Sequence, residues 1–267
     1  MKRALKLLLC VLVVLALVAG GYAAYVFGTY YRLEDKLPLT ATEVGGESGL
    51  ASLTAGSRQR IVSYNIGFGA YSDDYSFFMD GGKESRARSE EAVYENVGGA
   101  VEAIRTADPD FTLVQEVDLD GDRSYHVNET ELVKEALPES GSWVFAQNYD
   151  SPYLFWPLTE PHGANKAGQM TLTRYPITSA LRRSLPIDPG VMKLVDLDRC
   201  YAIQHIPTTD GKALALVCFH LSAYTSDGKI AEEQLKMLFE DLQKEVDAGN
   251  YVIAGGKILA INAHSTY

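Results

Sequence analysis

Asp108-Pro109-Asp110-Phe111-Thr112-Leu113-Val114-Gln115-Glu116-Val117-Asp118 is the stretch on which the fold turns. Proline cannot continue a helix, and it disfavours helical backbone in the residue before it, so Asp108-Pro109 closes the element upstream. That element, Ser89 to Thr106, reads as a helix with Val93, Val97, Val101 and Ile104 on one face. Phe111 to Val117 then reads as a short apolar strand, and Arg60 to Ile66, ahead of the helix, as another.

Working outward, Ser142 to Gln147, Gln169 to Thr173, Tyr201 to Ile206 and Lys212 to His220 are further strands. Asp227 is placed to cap a second helix, with Ala231, Leu235, Leu238, Leu242 and Val246 at helical spacing. Gly249-Asn250 stops it before a strand over Tyr251 to Ala254. Strands alternate with helices early and cluster as hairpins in the middle. This order predicts an α/β sandwich with mixed sheets rather than a doubly wound parallel sheet. The sequence carries no internal repeat.

At the N-terminus, Lys2, Arg3 and Lys6 precede a charge-free run that extends to Arg32. Such a run is long enough to cross about 30 Å of hydrocarbon. The basic residues on its near side set the N-terminus in the cytoplasm and the remainder outside. Tyr22, Tyr25, Tyr30 and Tyr31 suit an interfacial aromatic belt. Residues 1–31 are therefore expected to be a signal-anchor. A cleaved signal ending near Ala23-Ala24, and so a secreted protein, is the competing reading. Residues 32–57, mixed in Pro, Gly, Ser, Thr and Glu, read as a tether, and 58–267 as the folded domain.

Without Lys2, Arg3 and Lys6 the chain keeps 21 basic against 35 acidic residues, a formal charge of −14. Such a surface argues against strong nucleic-acid affinity. Cys200 and Cys218 both fall in strands, where an exported protein could pair them or bury them as separate thiols.

Three apolar strands end in polar residues: Asn65 closes Ile61 to Tyr64, Glu116 closes Phe111 to Gln115, and His220 closes Ala215 to Phe219. Strand ends are held rigidly yet face the loops, which is where sites in layered folds are built. With their flanks, Ser63-Tyr64-Asn65-Ile66, Asp108-Pro109-Asp110 to Gln115-Glu116-Val117-Asp118, Gly168 to Leu172-Thr173-Arg174-Tyr175-Pro176-Ile177 and Phe219-His220-Leu221-Ser222-Ala223 resemble the motifs of the endonuclease/exonuclease/phosphatase superfamily. Tyr251-Val252-Ile253-Ala254-Gly255-Gly256 resembles the strand leading into its Gly-Asp-Phe-Asn motif. The resemblance spans roughly residues 58 to 256.

It implies a four-layer α/β sandwich that hydrolyses phosphate esters with Mg²⁺ or Mn²⁺. Glu116 would be the metal ligand, assisted by Asn65, and His220 would hydrogen-bond the phosphate. The implied substrates are lipid headgroups, small extracellular esters or, as the lesser reading, nucleic acid. Arg123, Asn165 and Lys166 are further candidates for the substrate cleft.

The sequence departs from the family at Lys257 and Leu259, which stand where the family has Asp and Asn. Protonated lysine cannot ligate a cation, and leucine makes no hydrogen bond. The family's closing strands and Asp-His pair have no counterpart after these residues, and His264 stands too close to Gly256 to be that histidine. The expectation is therefore an incomplete sandwich with impaired hydrolysis, or else a non-catalytic surface binding module that keeps the fold. Asp118, Asp120, Asp122 and Glu129 mimic a calcium loop, but Arg123 stands where glycine is required. Tyr149, Tyr153, Phe155 and Trp156 read as a packed loop, with a cleft wall or a membrane contact as the other readings.

Overall fold

In the computed structural model, residues 2–43, 50–190, 193, 197–222 and 228–257 are described. Ala223, the Asp227 expected as a cap, Leu259 and His264 lie outside them.

The strands are β1 (Leu37–Pro38), β2 (Thr42–Glu43), β3 (Ile61–Asn65), β4 (Phe111–Gly121), β5 (Ser142–Asp150), β6 (Asn165–Thr173), β7 (Ser179–Ser184), β8 (Cys200–Pro207), β9 (Ala213–His220) and β10 (Tyr251–Lys257). The α-helices are α1 (Lys2–Thr29), α2 (Glu90–Thr106), α3 (Glu129–Ala136) and α4 (Lys229–Asp247). They form two five-stranded sheets, ordered β1-β7-β8-β9-β10 and β2-β5-β6-β4-β3. Each has three antiparallel pairs and one parallel pair, β9 with β10 and β3 with β4. Both sheets are therefore mixed, as expected. The two halves share a plan, a strand, a helix and a parallel strand at one edge, although no sequence repeat announces it.

The layers are legible in the core. Val93, Val97, Val101 and Ile104 of α2 pack with Val114, Met170 and Leu172 of one sheet. Leu238 of α4 packs with Tyr201, Val217 and Phe219 of the other. Phe111, Leu113, Leu214 and Leu216 meet between the sheets. The order is helix, sheet, sheet, helix, with the apolar face of each helix buried on its own sheet. Ser89 caps α2 by accepting a hydrogen bond from the Ala92 amide at 3.1 Å, with Glu90 and Glu91 in the first turn, where the helix dipole favours them.

Several expectations are corrected. Among the described residues between 32 and 57, β1 joins β7, β2 joins β5 and the Leu53 amide donates to the Pro207 carbonyl at 2.8 Å. Edge strands this short carry no apolar pattern, so composition conceals them. The calcium-like acidic stretch from Asp118 starts within β4, which continues to Gly121 paired with β6. On α4 the buried residues are Ala231, Gln234, Leu238 and Asp241, while Val246 is half exposed. Polar residues occupy that face because they have partners: Gln234 bonds Ser222 and the Pro186 carbonyl, and Asp241 accepts from Tyr201 Oη at 2.7 Å and pairs with Arg183. Cys200 and Cys218 are free buried thiols, and the Gln169 amide lies against both.

Candidate functional site

The site stands at the carboxyl ends of the two parallel strand pairs. Asn65 ends β3, His220 ends β9 and Lys257 ends β10; Glu116 lies one residue beyond the level of Asn65 on β4. Parallel edges place the C-terminal ends of both partners at one end of each sheet, and stacking the sheets brings the two ends together.

Glu116 has φ 57°, a left-handed backbone that a residue with a Cβ rarely adopts. It is the extra residue of a bulge: Gln115 faces Gln169 and Val117 faces Gly168, which leaves Glu116 with no partner on β6. The bulge re-aims its carboxylate toward the sheet ends. There Oε1 accepts from Asn65 Nδ2 at 2.7 Å and Lys257 Nζ at 3.1 Å, and His220 Nε2 lies 3.4 Å away. Asn65 is itself anchored, its Oδ1 accepting from the Gly67 amide at 2.9 Å. Lys257 reaches this point because Gly255-Gly256 let β10 run close to its neighbours. A Cβ at Gly255 would fall 2.6 Å from Leu113 Cδ1, and one at Gly256 1.8 Å from the Phe219 carbonyl oxygen.

Burial works against the Glu116 charge. The neighbouring cationic groups, His220 when protonated and then Lys257, together with the Asn65 amide, bring its carboxyl down to about 2. His220 is fully buried, and burial, reinforced by Arg199, pushes its imidazole down to about 3. At neutral pH the imidazole is uncharged, so the Lys257 ammonium is the positive charge resting on Glu116. His220 Nδ1 has no hydrogen-bond partner among the described residues.

The structure brings Asn65, Glu116 and His220 together with Lys257, the residue that departs from the resembled motif. The three other candidates sit differently. Arg123 is buried: its guanidinium donates to Asp118 at 2.5 and 2.9 Å and lies 4.0 Å from the Phe68 ring centre. Burial opposes its charge and Asp118 more than offsets this. A guanidinium committed to a carboxylate and an aromatic face is a structural cation behind the site, not a free phosphate contact. Asn165 is buried, its Oδ1 accepting from the Arg123 amide at 3.0 Å and its Nδ2 donating to the His162 carbonyl at 3.0 Å. Lys166 lies 3.5 Å from Asp150.

Asp118 and Glu129, members of the calcium-like pattern, belong to the same buried support. Glu129 Oε2 accepts from the Asp118 amide at 2.7 Å. Burial, and then the Asp118 charge, push the Glu129 carboxyl well above the ordinary range.

The residues do not fit the divalent ion that the resemblance implies. A hard cation needs several anionic or carbonyl oxygens. Among the described residues Glu116 is the one carboxylate of the cluster, and its Oε1 already takes hydrogen bonds from Asn65 and Lys257. Among the described residues no group of three or more His, Cys, Asp or Glu side chains could hold a metal. The arrangement gathers an ammonium, an amide and an imidazole, groups of the kind that bind oxyanions, around the Glu116 carboxylate.

No family model and no curated protein matches the chain. Solved structures do. An endonuclease/exonuclease/phosphatase from Beutenbergia cavernae DSM 12333 is 17% identical with a TM-score of 0.48, over 68% of this chain and 43% of that one. ANGEL2, a 2',3'-cyclic phosphatase, is 14% identical with a TM-score of 0.49, over 85% of this chain and 57% of that one. The sphingomyelinase C from Streptomyces griseocarneus is 15% identical with a TM-score of 0.43, over 78% of this chain and 66% of that one. The chain thus spans about half the length of the first two, 43% and 57%. Two of the solved structures it is similar to are of endonuclease/exonuclease/phosphatase proteins, the one from Beutenbergia cavernae and one from Leptotrichia buccalis C-1013-b.

Proposed function

We propose that this domain recognises phosphate esters at the cell exterior, on a phosphoester-hydrolase scaffold whose cleavage step is impaired in this chain. The observation that carries the reading is the convergence of Asn65, His220 and Lys257, at the ends of three strands, on Glu116 at the bulge of β4. Asn65 and His220 offer neutral hydrogen-bonding groups to phosphate oxygens, and Lys257 offers charge. Lys257 also explains the impairment: its ammonium holds the carboxylate that the resemblance assigns to the metal. The same ion pair favours a second reading, a binding module that takes up a phosphate group without cleaving it.

Hydrolysis of a chromogenic phosphodiester by the full chain, with Mg²⁺ or Mn²⁺, separates these. Turnover near background is expected for the chain itself. Lys257→Asp supplies a second carboxylate and is expected to raise metal-dependent turnover by at least about tenfold, a change in barrier of about 1.4 kcal/mol. Glu116→Ala in that background removes the gain. Diester binding without cleavage by either protein favours the binding module, whereas neither binding nor cleavage sinks the phosphate-ester reading altogether.

A further inference from the structure

The end of the sandwich that carries the site also carries the exit of α1 and an apolar loop. The loop follows β5, and its residues 151–159 contain no charged side chain, in a domain whose formal charge is strongly negative. Glu160, which comes next, turns inward and accepts from the Ser85 amide at 3.1 Å. Phe155, Trp156 and Leu158 are 51%, 65% and 76% exposed. Exposed apolar side chains this close together mark an interaction surface rather than ordinary loop packing.

The last turns of α1 lie directly on this loop. Tyr22 Oη donates to the Tyr153 carbonyl at 3.1 Å, Tyr25 Oη accepts from the Tyr153 amide at 3.1 Å, and the Tyr22 and Phe155 rings meet edge to face at 5.0 Å. α1 is itself apolar, with a mean hydropathy of 2.6 over its most apolar window and none of that window buried. At about 1.5 Å per residue, the helix from Lys6 to Tyr25 is about 28 Å long, close to the hydrocarbon thickness of about 30 Å. Tyr22 and Tyr25 therefore fall where a bilayer surface would be, and the loop falls beside them.

Strand directions place the site at the same end. Asn165 and Asp150, which flank the loop, lie at the level of Gly121 and Asp120, five and four residues beyond Glu116 on β4. In the other sheet Ser184 faces Cys200, beside the His220 end of β9, and there Arg32, just after α1, lies 3.6 Å from Asp198. Both sheets thus turn their site-bearing ends toward the helix exit, and the turn at Asp210, between β8 and β9, is at the far end.

We propose that Phe155, Trp156 and Leu158 seat the domain on the lipid surface that α1 crosses, so that the Asn65, Glu116, His220 and Lys257 end faces the bilayer. The seating rests on α1 as a spanning helix and is independent of any phosphoesterase activity.

Depth-dependent quenching tests it. Trp143→Phe leaves Trp156 as the sole tryptophan, and the full chain is reconstituted in phosphatidylcholine vesicles with or without brominated acyl chains. Trp156 is expected to emit at shorter wavelength than in water and to lose most of its emission to the brominated lipid. Asp210→Trp, in a chain with both native tryptophans changed to Phe, is expected to emit unquenched from the far end. Three results would overturn the proposal. Trp156 could stay unquenched in a chain that resists alkaline washing, both positions could be quenched alike, or the chain could wash off the vesicles. The last also removes the spanning helix on which the seating rests.

Discussion

Glu116 concentrates the chemistry of this site on one carboxylate oxygen, held by an amide and an ammonium and re-aimed by a left-handed backbone. Its neighbour in the sheet, Asp118, depends on Arg123 in a different way. Their side chains are 0% and 7% exposed, so removing the guanidinium strands a charge in the interior. Breaking such a buried pair costs about 3–5 kcal/mol, far more than the 0–1 kcal/mol of an exposed pair. Arg123→Ala is expected to lower unfolding stability by that amount in urea titration, and a loss under about 1 kcal/mol would return Arg123 to a free substrate contact. The sequence shows Arg123 beside acidic residues but not that Asp118 takes its charge. That pairing depends on the 3₁₀ turn at Asp122–Ser124 folding the guanidinium back onto β4.

At the scale of elements, α2 was legible because every signal agrees: a serine cap, acidic first turn, four apolar residues on one face and a proline beyond. α4 was legible in position but not in its buried face, since Gln234 and Asp241 are buried through tertiary partners that a hydropathy pattern cannot register. β1, β2 and β7 were missed because two of them are only two residues long and β7 carries Arg182 and Arg183. Arg182 is fully buried, donating to the Gln147 carbonyl at 2.8 Å, another group that composition would place on the surface. The β9–β10 pair sets how far Lys257 reaches, and Gly256 is what permits it. With φ 157° and a would-be Cβ 1.8 Å from the Phe219 carbonyl oxygen, Gly256→Ala must push the strands apart. The expected cost is about 2–4 kcal/mol, with loss of slow hydrogen exchange confined first to β10; unchanged exchange there would show that the strand adapts freely.

The whole molecule couples stability to acid through buried groups. His220 and His162 are both pushed to about 3 from an ordinary 6.5, chiefly by burial, so the unfolded chain takes up protons between these values that the folded chain refuses. Stability is therefore lost as pH falls from about 6.5 toward 3, by up to about 1.4 kcal/mol per pH unit for each histidine. Glu116 acts in the same direction lower down: its stabilisation is complete above the ordinary 4.5 and is lost as pH falls toward about 2. Glu129 opposes both, because its raised carboxyl makes the folded chain hold a proton that the unfolded one releases. Denaturant midpoints of the detergent-solubilised chain are expected to fall steadily from pH 7 to pH 4. Glu129→Gln should steepen the fall; a flat profile would mean the imidazoles are hydrated.

What the sequence determined by itself was local and periodic: the apolar faces of the helices, the strands and their polar ends, and an apolar N-terminal run of spanning length. The α/β alternation followed from these, as did Asn65 and His220 at strand ends, because such patterns are written in neighbouring side chains, whereas Glu116 sits at a bulge inside β4. Only the tertiary structure decided which strand ends meet. Lys257 is 141 positions from Glu116 in the chain and lies in the other sheet, so no spacing rule relates them. Packing also decided that Arg123 and Asn165 are internal supports, and that the aromatic loop lies beside α1 at the site-bearing end. The physical reason is the same throughout: these outcomes depend on how two sheets stack and which buried charges find partners, quantities set between distant segments rather than within any one of them.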